Sequence, residues 1–106
     1  EPYRRQRQMC IRDRLNKCVD IIKNSSIKYQ SLGIFGSYAR NDYKASSDID
    51  FCIIVPEKPE RWMMGALREE LEMLHADVVF VTPQYFEHDN SKFTQQLRRD
   101  YKELKI

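Results

Sequence analysis

Hydrophobic positions along this chain recur with two different periods, and the alternation between them lays out its elements. Leu15, Cys18, Val19 and Ile22 fall at i, i+3, i+4 and i+7, which predicts the inner face of a first helix ended by Asn24-Ser25-Ser26. Tyr29 to Phe35, with Leu32, Ile34 and Phe35 apolar, predicts a strand running into Gly36. Arg40 to Ser47 is polar and aperiodic, as a loop would be. DIDFCIIV, Asp48 to Val55, is the clearest strand: β-branched and aromatic, and stopped by Pro56. Pro59 is expected to open a second helix at its first position, with Met63, Leu67, Leu71 and Leu74 inward and Arg68, Glu69 and Glu72 outward. ADVVFVT, Ala76 to Thr82, predicts a third strand stopped by Pro83. Phe93, Leu97, Tyr101 and Leu104 predict a third helix, capped by Ser91 and burying an aromatic stripe of Phe93 and Tyr101. The order helix, strand, strand, helix, strand, helix describes an α/β (α+β) fold, a small mixed sheet of about three to four strands with helices packed mainly on one face.

Composition bounds what such a chain can be. Its 106 residues, 42% hydrophobic and 32% charged, suffice for one globular domain and leave no room for a second. No apolar run approaches the roughly 20 residues that span a bilayer, and no apolar signal-peptide core opens the chain, so the expectation is a cytoplasmic protein without a membrane partner. Cys10, Cys18 and Cys52 are odd in number and widely spaced, which argues for reduced thiols rather than zinc or disulfides.

The formal charge of +2 is unevenly placed. Residues 1–14 hold Arg4, Arg5, Arg7, Arg12 and Arg14 against Glu1 and Asp13, a net of +3 that leaves about −1 for the rest, so no nucleic-acid signature extends over the domain. Moreover, RRQRQMCIRDR, Arg4 to Arg14, resembles the in-frame translation of a transposon-end adapter used in preparing sequencing libraries. Residues 1–14 are therefore expected to be a non-native extension and 15–106 the single domain.

The chemistry gathers around FGSYARNDYKASSDIDF, Phe35 to Phe51. Side chains alternate along a strand, so Asp48 and Asp50 share one face, roughly 7 Å apart. Like charges so placed repel unless a cation joins them. Hard oxygen donors select Mg²⁺, with Mn²⁺ possible, and such ions take their remaining ligands from water and substrate phosphates. Asp77, opening the third strand, would bring a third carboxylate if that strand lay alongside. Such a set suits phosphoryl or nucleotidyl transfer assisted by two ions. Gly36-Ser37 supplies the complementary half: a glycine admits phosphate close to the backbone, and a hydroxyl with N–H groups at the head of a turn or helix binds its charge. Arg40 and Lys44 are loop cations that could touch phosphate, whereas Ser46 and Ser47 shape the turn into the strand. His75 and His88 carry no catalytic assignment. Trp62, Met63 and Met64 are more apolar than one helix face requires; core packing is the default reading, and exposed they would suit a protein partner, while Arg98, Arg99, Lys102 and Lys105 read as a solvated face.

FGSYAR followed by SSDIDF, with ten residues between Gly36-Ser37 and Asp48-x-Asp50, resembles the signature of the polymerase-beta-like nucleotidyltransferase superfamily. From about Leu15 onward the short chain is similar to the minimal nucleotidyltransferases, many of them antitoxins of HEPN-domain toxins. The resemblance implies a palm-like nucleotidyltransferase fold in which Gly36 and Ser37 hold the triphosphate, ATP being the expected nucleotide. It implies that Asp48 and Asp50 ligate both metal ions, and that Asp77 completes the catalytic metal site and helps deprotonate the acceptor hydroxyl. The usual glycine after the arginine is here Asn41, a residue that tolerates the left-handed conformation. The implied activity moves AMP onto a hydroxyl, in the antitoxin case a tyrosine of the HEPN toxin partner. Two other readings stand beside it: the transferase module of an aminoglycoside-type modifying enzyme, and a degenerate antitoxin that acts by occlusion alone.

Overall fold

The computed structural model describes residues 11–44 and 46–105. In chain order the elements are α1 (Ile11–Asn24), β1 (Ser31–Phe35), α2 (Gly36–Arg40), β2 (Ile49–Ile54), α3 (Arg61–Glu72), β3 (Ala76–Val81), α4 (Pro83–His88), α5 (Lys92–Asp100) and β4 (Lys102–Glu103). The strands form one mixed sheet in the order β3-β2-β1-β4. β1 runs antiparallel to both β2 and β4, while β2 and β3 are parallel and joined by the α3 crossover. A connection through a helix is what two parallel neighbours require.

Period-two alternation assigns the two faces of the sheet. Ile49, Phe51, Ile53 and Val55 point one way with Leu32, Ile34, Val78 and Phe80, and meet Cys18, Val19 and Ile22 of α1 and Met64, Leu67 and Leu71 of α3 in the main core. The opposite face carries a smaller cluster of Cys52, Val81 and Leu97, flanked by Phe35, Phe86 and Tyr101. Helices therefore pack mainly on one face, as the pattern predicts, while α4 and α5 cover only part of the other. Cys18 and Cys52 are unpaired and buried, and burial pushes their thiols up to about 11 and about 12, so both are inert neutral side chains. Cys10 lies outside the described residues, as do Arg4, Arg5 and Arg7. Ile11 to Arg14 form the first turn of α1, where Arg14 is buried and donates from Nη2 to the Ser47 carbonyl at 2.6 Å. No helix among the described residues is long and apolar enough to cross a membrane.

Several boundaries differ from the periodic reading. α3 starts at Arg61 with Glu60 as its cap, two residues after Pro59. Pro83 both ends β3 and opens the short helix α4, whose Thr82 Oγ1 accepts from the Tyr85 N–H at 3.2 Å. Ser91 does cap the last helix, accepting from the Thr94 N–H at 3.2 Å, but that helix stops at Asp100. Tyr101 is extended there, and the chain turns back along β1, where the Leu104 N–H donates to the Leu32 carbonyl at 2.8 Å. Strand pairing thus overrides a helical spacing that continues through Tyr101 and Leu104. Phe93 is not core either: it is 51% exposed, edge-on to Phe35 with ring centroids 6.0 Å apart.

The approach of β4 depends on Gly33. A Cβ there would run into the Tyr101 ring and stand 2.7 Å from the Lys102 carbonyl oxygen. Gly33→Ala is expected to lower stability by about 1–3 kcal/mol through overpacking, read as a lower urea midpoint with an unchanged slope; an unchanged midpoint would show that β4 yields freely.

Candidate active site

The site is built where β1 ends and β2 and β3 begin, because the antiparallel and parallel pairings bring those three points to one end of the sheet. Phe35 pairs with Asp50, and Asp50 pairs with Asp77. Residues paired in register lie side by side on the same face of a sheet, so the carboxylates of Asp50 and Asp77 share one face, joined by Asp48 two residues before Asp50. The sheet order thus places Asp77 beside the Asp48/Asp50 pair.

Electrostatics reflect that crowding. Burial, then the charges of Asp77 and Asp48, raise the Asp50 carboxyl above its ordinary range, with Arg40 opposing them. Asp48 and Asp77 are exposed, and Asp77 Oδ1 accepts the Val78 N–H at 2.8 Å. Asp48, Arg68, Glu72, His75, Ala76 and Asp77 line a cleft of about 390 Å³ at the β3 side of the acids.

Gly36 closes the other side of Asp50. Its φ of +76° suits glycine alone, and a Cβ would collide with the Asp50 carboxylate. From Gly36 the chain turns straight into α2, a helix that the polar sequence conceals. Ser37 sits in its first turn, half-buried, and no hydrogen bond engages its Oγ among the described residues. Asn41 ends α2 in the left-handed conformation, φ 64° and ψ 28°, which accounts for an amide residue at a place that favours glycine. The loop beyond is ordered by Tyr38 stacking on Tyr43 at 4.6 Å and by the Lys44 N–H donating to Ser47 Oγ at 2.8 Å.

Asp100, which braces the site, is a residue that sequence reasoning misses. It is 6% exposed, and its carboxylate accepts from Arg40 Nη1 at 2.7 Å, from Gln96 Nε2 at 3.0 Å and from the main-chain N–H of Gly36. Burial alone would raise its pKa, but those hydrogen bonds and the Arg40 charge hold it below the ordinary range. Asp100 therefore fastens the head and tail of α2 to α5. Arg40 also donates to Asp42 from Nε at 3.4 Å, so it is tied into the scaffold while lying near enough to lower Asp50. In the sequence Asp100 is one more polar residue near a helix end, and only the fold reveals its partners.

A divalent cation can be tested against this arrangement. Among the described residues no three His, Cys, Asp or Glu side chains already form a metal cage. Nevertheless, beyond the effect of burial, the Asp77 and Asp48 charges further raise Asp50, and all three side chains offer hard oxygen donors. This set fits an ion that draws part of its coordination from substrate phosphates, as Mg²⁺ does, rather than one enclosed by protein alone.

Comparison with known proteins gives the chain a family and its fold relatives. The family model described as the nucleotidyltransferase domain matches residues 11–103. A candidate protein adenylyltransferase of Methanocaldococcus jannaschii is 44% identical over 64 residues, which is 60% of this chain. The chain spans 64% of that relative's length. Among solved structures, a chain from a toxin–antitoxin complex with AMP-PNP superposes with a TM-score of 0.60 at 24% identity, covering 83% of this chain and 69% of that one. A chain from the complex of tri-AMPylated Shewanella oneidensis HEPN toxin with MNT antitoxin gives 0.57 at 22% identity, covering 87% and 69%. At these identities the structural likeness shows the fold.

The crowding at Asp50 has a measurable consequence. Its pKa is raised by folding, so the folded chain holds that proton more tightly than the unfolded chain. Its contribution to stability is complete below the unfolded carboxyl range and lost as pH rises through the raised value. Asp50→Asn, without added metal, should therefore stabilise the chain at neutral pH by under about 1 kcal/mol, given solvent screening. In thermal melts the gain should vanish in strong acid; a gain that persists there would point to packing instead of charge.

Proposed function

We propose that this chain, which belongs to the nucleotidyltransferase domain family, transfers AMP from ATP to a hydroxyl of a partner protein. The single observation that carries the reading is the in-register pairing of Asp50 with Asp77, flanked by Asp48 on one strand and by the Gly36 turn on the other.

The roles follow from position. Gly36 lets phosphate oxygens approach the backbone, and Ser37 offers its unengaged hydroxyl in the first turn of α2. Asp100, by fixing α2 against α5, positions that grip and takes no part in the chemistry. Asp48 and Asp50 would hold two Mg²⁺ ions, with Asp77 completing one site. When bound, such ions neutralise the triphosphate and lower the pKa of an attacking hydroxyl. The acceptor oxygen bonds to the α-phosphorus, the bond from that phosphorus to the bridging oxygen breaks, and pyrophosphate leaves. Asp77, on the side away from Gly36, is placed to take the hydroxyl proton. Arg40 is bound to Asp100 and Asp42, so it acts on the site through its field at Asp50 more than as a free phosphate clamp.

The choice of AMP and of a protein acceptor rests on the relatives, whose names speak of a protein adenylyltransferase and of an AMPylated HEPN toxin. A HEPN-type toxin is accordingly the partner to test first, and a second domain on the same chain is not needed if that partner supplies the acceptor.

Incubation with α-labelled ATP, Mg²⁺ and a HEPN-type toxin should transfer label to that protein, and chelation should abolish it. Asp48→Asn or Asp50→Asn should slow transfer by at least about 10²–10³-fold, the scale of losing a transition-state-stabilising group. Partner neutralisation that survives both substitutions, with no label transferred by the parent chain, would instead favour action by occlusion.

A further inference from the structure

A second groove lies along the free edge of the sheet. β3 is the terminal strand, and its outer side continues from the Asp77 cleft into a groove of about 380 Å³ lined by Lys58, Arg68, Phe80, Thr82, Tyr85 and Phe93. Arg68 lines both, with its Cζ 5.4 Å from the Phe80 ring centroid and its Nε donating to the Val78 carbonyl at 3.5 Å. The groove spans positions two to five residues beyond Asp77, or roughly 7–17 Å along the strand.

Three properties of this groove point to one kind of occupant. Its charged lining residues, Lys58 and Arg68, are both cations. Its aromatic wall is half in water, with Tyr85 48% and Phe93 51% exposed, although burying them would be favourable. Its floor is an open strand edge: the carbonyls of His75 and Val81 face β2, so by alternation the main-chain groups of Val78 and Phe80 face outward. At Val78 those groups are covered by Asp77 and Arg68, whereas Phe80 has no main-chain partner on that side among the described residues.

We infer that this groove docks an extended, acidic segment of the acceptor protein, which carries its hydroxyl to Asp77. The inference rests on the transferase reading above and adds where and by what chemistry the partner is held. An acidic side chain meets Lys58 or Arg68, an apolar one packs on Tyr85 and Phe93, and the segment's backbone pairs with Phe80. A continuous polyanion such as RNA fits less well, because the neighbouring cleft, which shares Arg68 with the groove, holds Asp48, Glu72 and Asp77, which repel successive phosphates. A peptide can place carboxylates over the cations and a neutral hydroxyl over the acids.

Binding of synthetic probes to the full chain tests this independently of catalysis. Two fluorescent peptides of equal length with one central tyrosine, flanked by glutamates or by lysines, are compared with an oligouridylate. The acidic peptide should bind at least about 10-fold tighter than either other probe. Lys58→Glu, at an exposed residue, and Arg68→Glu should each weaken it about 10-fold, Arg68→Lys should restore most of the loss, and Lys58→Glu, remote from the acid cleft, should leave affinity for a non-hydrolysable ATP analogue unchanged. No peptide binding, equal binding of the two peptides, tighter binding of the oligouridylate, or indifference to Lys58→Glu would overturn the inference. So would Phe93→Ala weakening the ATP analogue while sparing the peptide, which would make the groove a base site. Absence of label transfer in the ATP assay bears on the transferase reading alone.

Discussion

The structure turns on placing Asp50 beside two other carboxylates while a glycine presses on it from a third side. Nothing about those charges favours the arrangement; the rest of the fold enforces it. Ile49, Phe51, Ile53 and Val55 must face the main core, and so must Ala76, Val78 and Phe80, which fixes β2 and β3 in the register that sets Asp50 beside Asp77. A slip of one residue would move Asp77 to the buried face, where an unpaired carboxylate is far more costly than the repulsion it escapes. The apolar residues thus hold the acids in place.

A second, polar constraint governs the other half of the site. α2 is only one and a half turns long, too short to be stable on its own, and its sequence has little to bury beyond Ala39. It persists because the Asp100 carboxylate reaches both Gly36 at its head and Arg40 at its tail. Asp100 can do so only because α5 ends there and the chain turns into β4, which is permitted by the missing side chain at Gly33. A buried charge with three donors loses much if any one is removed. The geometry of the Gly-Ser turn is therefore coupled to the packing of the last ten residues of the chain, some 60 positions away.

This coupling explains what could be read from the sequence and what could not. The strand at Asp48–Val55 was legible because alternation and a stopping proline agree, and the acids at Asp48 and Asp50 came with it. The motif spacing from Gly36 to Asp50 was legible because its loop length is local. α2 was hidden because GSYAR has no hydrophobic period, being held by one long-range carboxylate. The end of α5 departs from the periodic pattern because Tyr101 and Leu104 fall at helical spacing by coincidence, their apolar side chains serving β4 and the sheet. Phe93 falls at a core position by the same spacing, although half of it remains in water. Asp77 lay between these cases: its strand was plain, but its neighbour is set by topology, which no local pattern encodes.

Sheet order also gives the site a direction. Gly36 and Ser37 lie on the β1 side of Asp50, and the Asp77 cleft lies on the β3 side. An in-line displacement needs the nucleophile and the leaving group on opposite sides of the phosphorus. If the triphosphate is gripped at β1, as proposed, the hydroxyl would arrive over β3, which among the described residues is a sheet edge that no further strand covers. Its partner strand position is open along the stretch where Tyr85 and Phe93 stand exposed. Exposed sheet edges are usually guarded, and here the guard is partial: Asp77 and Arg68 cover Val78 while Phe80 is left accessible. The same two side chains that border the acid cleft therefore block indiscriminate strand pairing next to it, so that the segment inferred above would pair only beyond Val78 and present its hydroxyl side-on to Asp77.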